Sequence, residues 1–288
     1  MTGTSPPADP NTEPPRRPVP TGACDTHMHI FGPADRYPYI DERDYTPPDA
    51  LMDDYLAMRS VLGFERTVVV QPSIYGFDHA CTAEAVEALG HSGRGVAVLD
   101  ETVSDGDIEN LHQIGFRGTR FNLVNSGGVG VGALEAMAAR VAEFGWHIQV
   151  MVSDAVVAEL APRLARLPVM VVIDHMGRMN ADDGVDQPGF RALLDLVDGG
   201  RCWVKLSGCY RIDFSGPPWP AAASFAKALI AAAPERLVWA TDWPHPDLGK
   251  SLMPNDGTLL NALFDWLPDD ATLRRILVDN PATLYDYA

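Results

Sequence analysis

Cysteine is scarce in this 288-residue chain. The four present, Cys24, Cys81, Cys202 and Cys209, form no Cys-x-x-Cys pair. They are too few for a disulfide framework in a chain of this length, and a reducing, cytoplasmic setting is expected. Basic residues are also short: 22 Lys and Arg stand against 39 Asp and Glu, a formal charge of -17. A nucleic-acid binder would carry a basic footprint, and an anionic membrane surface would repel such a chain, so neither partner is expected. No apolar run approaches the ~18 residues of a membrane span. The N-terminus has no apolar segment of the secretory type. A Gly-rich phosphate-binding turn after the first strand is missing as well, which speaks against a doubly wound nucleotide fold. In so acidic a chain, an anionic ligand would need a local cluster of arginines.

What is present suffices for a sizeable core: apolar residues make up 46% and charged residues 21%, close to the globular average. Residues 1–22 hold seven prolines and almost nothing to bury. They read as a flexible, Pro-rich arm on the surface, leaving 23–288 as a single domain. From there the chain alternates. Short apolar runs at 23–30, 67–70, 95–99, 118–122, 147–152, 169–173, 203–207 and 237–240 are eight candidate strands. They are continuously apolar, as in parallel strands buried on both faces. Stretches of helical spacing lie between them, among them 80–89, 132–144, 154–167, 189–197 and 220–232. Eight strand-then-helix units predict an α/β fold, a (β/α)8 TIM-like barrel. Two further helical stretches, 258–267 and 270–277, are expected to pack beneath or beside it.

Reactive side chains gather at the C-terminal ends of the candidate strands, the face where barrel enzymes carry their sites. The first run ends Asp25-Thr26-His27-Met28-His29 and the second leads into Gln71-Pro72-Ser73. The fourth carries Arg120 and Asn122, and the sixth ends Asp174-His175-Met176-Gly177-Arg178. The seventh leads through Lys205 and Ser207 to Arg211, and the eighth ends Thr241-Asp242-Trp243-Pro244-His245. His27 and His29 are two residues apart on a strand, so both rings should project into the barrel mouth. That arrangement suits zinc chelation or a paired hydrogen-bonding site; a chance pair with one ring satisfied in the core is the alternative. Asp242, after the last strand, is a candidate general base toward water; a helix N-cap is its alternative. Arg120, Arg178 and Arg211 are candidate anchors for a carboxylate, with an ion pair to Asp100 or Asp174 as the plainer reading of Arg120. His79, His91, His112 and His147 fall at helix or strand starts and are expected to face solvent, and Met137 and Met151 to fill core.

Together these segments resemble the amidohydrolase superfamily (amidohydrolase-2 type), and within it the 2-pyrone-4,6-dicarboxylate lactonase group. The likeness runs from about residue 23 to 287, on CDTHMHIFGP (24–33), VVVQPS (68–73), FRGTRFN (116–122), VVIDHMGR (171–178) and VWATDWPHP (238–246). The resemblance implies a hydrolase that opens the ring of a small anionic lactone, of the pyrone-dicarboxylate, muconolactone or sugar-acid type. It assigns His27, His29 and His175 to polarising the carbonyl and Asp242 to activating water. It assigns Arg120 and Arg211 to substrate carboxylates, with Ser73, Tyr45 and Arg178 nearby. Two positions depart from the pattern. Ser126 stands where a further arginine is expected, and Met151 where a tyrosine is expected.

No cofactor is expected to be required. If a divalent ion binds, it is a single Zn2+ on His27, His29, His175 and Asp242. There is no Lys after the fourth strand and no His after the fifth to hold a second ion. The alternatives are a zinc-dependent decarboxylase, a lactone isomerase, or a non-catalytic organic-acid-binding protein. A monomer or small homo-oligomer is expected.

Overall fold

The computed structural model describes residues 3–249 and 252–287. Eight parallel strands pair in sequence order: β1 (Cys24–Met28), β2 (Arg66–Val70), β3 (Gly93–Ala97), β4 (Phe116–Asn122), β5 (His147–Met151), β6 (Val171–Ile173), β7 (Cys202–Leu206) and β8 (Leu237–Trp239). The sheet closes where Met28 meets Trp243 in a parallel bridge, with the Asp242 amide donating to His27 O and the His29 amide to Trp243 O. Each strand is followed by a helix of the outer ring: α1 (Met52–Leu62), α2 (Ala80–Leu89), α3 (Asp105–Ile114), α4 (Leu134–Ala142), α5 (Asp154–Leu164), α6 (Pro188–Asp198), α7 (Pro220–Ala232) and α8 (Asp256–Trp266). The fold is the (β/α)8 barrel that the alternation predicts.

The strands carry apolar side chains on both faces because both faces are covered. Val69, Ala97, Ile148 and Val204 join the large core shared with the helices. Val68, Val70 and Val96 instead join Cys24, Tyr285 and Tyr287, and Val172 joins Trp203 and Val238. The stretch 258–267 is the ring's own eighth helix. The extra helices begin at α9 (Asp270–Arg274) and, after one π-helical turn, α10 (Asn280–Tyr285). These cover the barrel floor, pinned where the Asn280 amide group donates to Leu237 O and the Arg94 guanidinium to Tyr285 O.

His147 corrects the solvent-facing expectation. It is only 3% exposed and its ring packs edge-on to Tyr285. As the first residue of β5 it faces the barrel interior, and Gly118 beside it leaves the space its ring fills.

Residues 3–22 run along α8 and up to the barrel mouth. Arg16 and Arg17 pair with Asp265 and Asp270, and the Glu13 amide donates to Asn255 Oδ1 at the start of α8. A side chain at Gly257 would collide with the Glu13 carbonyl. Near the N-terminus, Gly3–Thr4 pairs with Tyr45–Thr46, and Ser5 Oγ accepts from the Asp247 amide.

Candidate active site

The ends of β6 and β8 are built from backbone that L-residues adopt rarely. Of the eight non-glycine residues with positive φ among the described ones, six are His175, Met176, Arg178, Asp242, His245 and Asp247. Such conformations cost energy and persist where the surroundings over-determine them. Here they turn both strand ends sharply so that His175 and Asp242 face the barrel axis. Gly208, itself at φ 64, lets the next loop pass close to the His175 ring, since a Cβ there would lie 3.0 Å from it.

The mouth holds a narrow cleft whose walls include His29, Tyr45, Ser73, Arg120, His175 and Asp242. Asn122 and Arg211 line it as well; His27 and Arg178 are not among the lining residues. Asp242 is the centre. Its Oδ2 accepts from Arg211 Nε at 2.8 Å and from the Tyr210 hydroxyl at 2.7 Å. Its Oδ1 faces the Nε2 atoms of His27 at 3.8 Å, His29 at 3.7 Å and His175 at 3.7 Å. Burial opposes the charge on Asp242, but Arg211 and the imidazoles hold its carboxyl well below the usual range. It is held as an ionised carboxylate and caps no helix among the described residues.

Three hydrogen bonds set the imidazoles. Lys205, fully buried inside the barrel, has three protons and three acceptors: Gln149 Oε1 at 2.9 Å, Thr26 O at 3.0 Å and His27 Nδ1 at 3.2 Å. An ammonium only donates, so His27 Nδ1 accepts and its hydrogen sits on Nε2. That Nε2 is 3.2 Å from His29 Nε2, while His29 Nδ1 donates to Val70 O at 2.7 Å. His175 Nδ1 meets Ser207 Oγ at 2.8 Å, leaving its Nε2 to face the cleft. Burial pushes all three rings below their ordinary pKa, His175 to about 4, so they are neutral at pH 7. Burial also lowers Lys205, to about 8, against the pull of Asp174.

The arginines divide. Arg120 Nε donates to Asp174 Oδ2 at 3.0 Å, the plainer of its two readings, and its Nη2 lies 2.8 Å from Met151 Sδ. Arg211 spends Nε on Asp242 and Nη2 on Asp242 and Pro246 O. In both guanidinium groups, Nη1 has no hydrogen bond among the described residues. Arg178 is half-buried and makes no hydrogen bond or ion pair among the described residues. Burial and then the like charge of Arg211 pull its pKa down. Asn122 lines the cleft, but its carbonyl oxygen accepts from the Val124 and Asn125 amides and so shapes the following loop. Ser126 is tied to Asp44 at the cleft's edge.

The donor set fits one divalent ion. Separations of 3.2–3.8 Å among the three Nε2 atoms' nearest pair and Oδ1 approach the ~3.3 Å edge of a tetrahedron with zinc-length bonds. His27, His175 and Asp242 form the one such group among the described residues. Binding an ion there would require the His27 hydrogen to move from Nε2 to Nδ1, where Asp174 Oδ1, 3.3 Å away, would accept it.

The sequence alone assigns no role to Lys205, Gln149, Tyr210, His245 or Asp256, and to Asp174 only that of a partner for Arg120, although all are buried here. A signal existed for two: a lysine inside the apolar run WVKLS, and a histidine closing TDWPHP. Asp256, as the first residue of a helix, reads only as an ordinary N-terminal acid.

Comparison with known proteins follows the same lines. A 4-sulfomuconolactone hydrolase of Hydrogenophaga intermedia is 37% identical over 271 residues, 93% of this chain and 89% of that one. A 2-pyrone-4,6-dicarboxylate hydrolase of Comamonas testosteroni is 36% identical over 286 residues, 96% of this chain and 93% of that one. A crystal structure of an Agrobacterium tumefaciens protein in its apo form superposes with a TM-score of 0.87 at 32% identity, covering 95% of this chain and 99% of that one. With the amidohydrolase family pattern matching residues 24–287, the barrel and its His-Asp mouth belong to a member of the amidohydrolase family.

Proposed function

We propose that this chain hydrolyses the ring ester of a carboxylated lactone of the pyrone-dicarboxylate or muconolactone type. One observation carries the reading: the divided carboxylate of Asp242, with Oδ2 taken by Arg211 and Tyr210 and Oδ1 turned to the imidazoles and the cleft. An ionised carboxylate with one free oxygen is a general base toward water. Water's oxygen bonds to the ester carbon, the ring C–O bond breaks, and Asp242 carries the proton from water to the leaving oxygen. His175, with Nδ1 held by Ser207, presents Nε2 to the carbonyl oxygen and stabilises charge that builds there. His27 and His29 spend their hydrogens on each other and on Val70 O, so their part is to hold the floor of the site. Arg178 and the free Nη1 donors of Arg120 and Arg211 supply the positive edge for a substrate carboxylate. Where a divalent ion is bound, His27, His29, His175 and Asp242 would hold it, and it would supply Lewis-acid polarisation of the same carbonyl. The names of the relatives, hydrolases of 4-sulfomuconolactone and 2-pyrone-4,6-dicarboxylate, support the substrate class.

The test is a lactone panel, containing 2-pyrone-4,6-dicarboxylate, muconolactones and aldonolactones, read by proton release and product mass. Ring opening with gain of one water is expected for a carboxylated member. A product of unchanged mass would make the protein an isomerase, release of carbon dioxide a decarboxylase, and recovery of intact ligand a binding protein.

A further inference from the structure

Behind Asp242 a line of buried polar groups continues past the Tyr210 hydroxyl. Tyr210, in the turn after β7, places its hydroxyl 2.7 Å from Asp242 Oδ2 and 2.9 Å from His245 Nδ1. His245 Nε2 in turn lies 3.2 Å from Oδ1 of Asp256, the first residue of α8. This last contact is an ion-pair distance without hydrogen-bond alignment. Tyr210, His245 and Asp256 are each at most 2% exposed.

The proton directions follow from what each group can do. A carboxylate only accepts, so Tyr210 donates its one proton to Asp242. The phenol oxygen can then only accept from His245, so Nδ1 carries a hydrogen. His245 Nε2 faces the Asp256 carboxylate at ion-pair distance, which holds the ring with Nδ1 toward Tyr210. The order is carboxylate, imidazole, hydroxyl, carboxylate, each group fixing the next. Its far end is anchored from outside the barrel. Asn255, just before Asp256, accepts from the Glu13 amide and donates to Asp9 and to Asn11 O.

We propose that Tyr210, His245 and Asp256 are a positioning relay for Asp242: Tyr210, backed by His245 and Asp256, shares Oδ2 with Arg211 and keeps Oδ1 aimed at the attacking water. The inference rests on the reading of Asp242 as the base. None of the three relay side chains lines the cleft, so they act on the rate through Asp242 and leave substrate binding alone.

The experiment compares Tyr210→Phe, His245→Asn, His245→Gln and Asp242→Asn in the full chain. The assay uses whichever carboxylated lactone the panel shows to be turned over fastest. Loss of one hydrogen bond to a charged group corresponds to about a 10- to 100-fold fall. Tyr210→Phe should lose that much kcat with KM within about twofold of the parent. An Asn side chain reaches the Nδ1 position and Gln the Nε2 position, so His245→Asn should keep more kcat than His245→Gln at equal thermal stability. The relay is overturned if Tyr210→Phe keeps kcat within about twofold, or if the two His245 variants lose kcat equally. A loss that only tracks a fall in Tm overturns it too. Asp242→Asn separates the two readings: full activity there removes the base itself, whereas its inactivation beside an active Tyr210→Phe removes only the relay.

Discussion

The two ends of the barrel are built from the same eight strands and could hardly differ more. At the floor, Cys24, Val68, Val70 and Val96 close on Tyr285 and Tyr287, and the chain there is regular strand and helix. At the mouth, the side chains are His27, His29, His175, Lys205, Asp174 and Asp242, and the backbone enters left-handed conformations at the ends of β6 and β8. Both ends are buried, so burial alone does not mark function. What separates them is pairing: the floor is held by apolar contact, whereas the mouth is a set of charges and imidazoles each fixed by a named partner. The floor bears stability; the mouth accepts strain and buried charge in exchange for chemistry.

The largest effect that tests this division is at the centre of the mouth. Asp242→Asn keeps the shape and removes the base, so kcat should fall by about 10²–10⁴-fold with little change in product binding. Steady-state kinetics and a product titration check it, and a variant with a tenth or more of parental kcat would place the base elsewhere. Next comes charge recognition. Arg178→Met removes a guanidinium with no partner among the described residues, so KM for a carboxylated lactone should rise about 10-fold or more while an uncharged lactone is little affected. Arg120→Met and Arg211→Met should cost more, and on both substrates, because each also strips a buried aspartate of its partner.

The floor supplies the third test. Burial holds His147 neutral by lowering its pKa to about 3, whereas in the unfolded chain it protonates near 6.5. The unfolded state thus binds more protons between those values, and stability falls as pH drops below about 6.5, by at most ~1.4 kcal/mol per pH unit for one such group. His147→Leu should flatten the Tm-against-pH curve in that range and leave kcat unchanged; an unaltered slope would deny the ring its buried neutral state. The smallest effect is expected from chelation. Lys205 already donates to His27 Nδ1 and Arg211 already neutralises Asp242, so activity should persist after exhaustive chelator treatment. About one zinc per chain, with activity lost on its removal and regained on its return, would assign the polarising role to a metal and leave the residue set unchanged.

Much of the mouth was legible because barrel topology turns sequence position into place. His-x-His at the end of β1, Asp242 after β8 and His175 after β6 must meet once eight strands close, whatever the details between them. Pairing was legible only in part. For Arg120 the Asp174 ion pair was one of two open readings, whereas Arg211 read as a free anchor, yet it is bound to Asp242, 31 residues away. His147 read as a surface residue, because nothing in its neighbours tells that β5 begins by facing inward. Asp256 could not be found at all, since its partner His245 is reached only through the loop that α8 closes.

By itself, the sequence determined the alternation of apolar strands and amphipathic helices, and with it the barrel and the end that carries the reactive groups. These are local and periodic properties, set by which residues can be buried on one face or two. Only the tertiary structure decided which nitrogen of His27 carries hydrogen, which oxygen of Asp242 is free, and which arginine is left unpaired. Those depend on contacts between residues far apart in the chain, such as Lys205 with Thr26 O, 179 residues away, and a hydrogen bond has a direction only once both of its ends are in place.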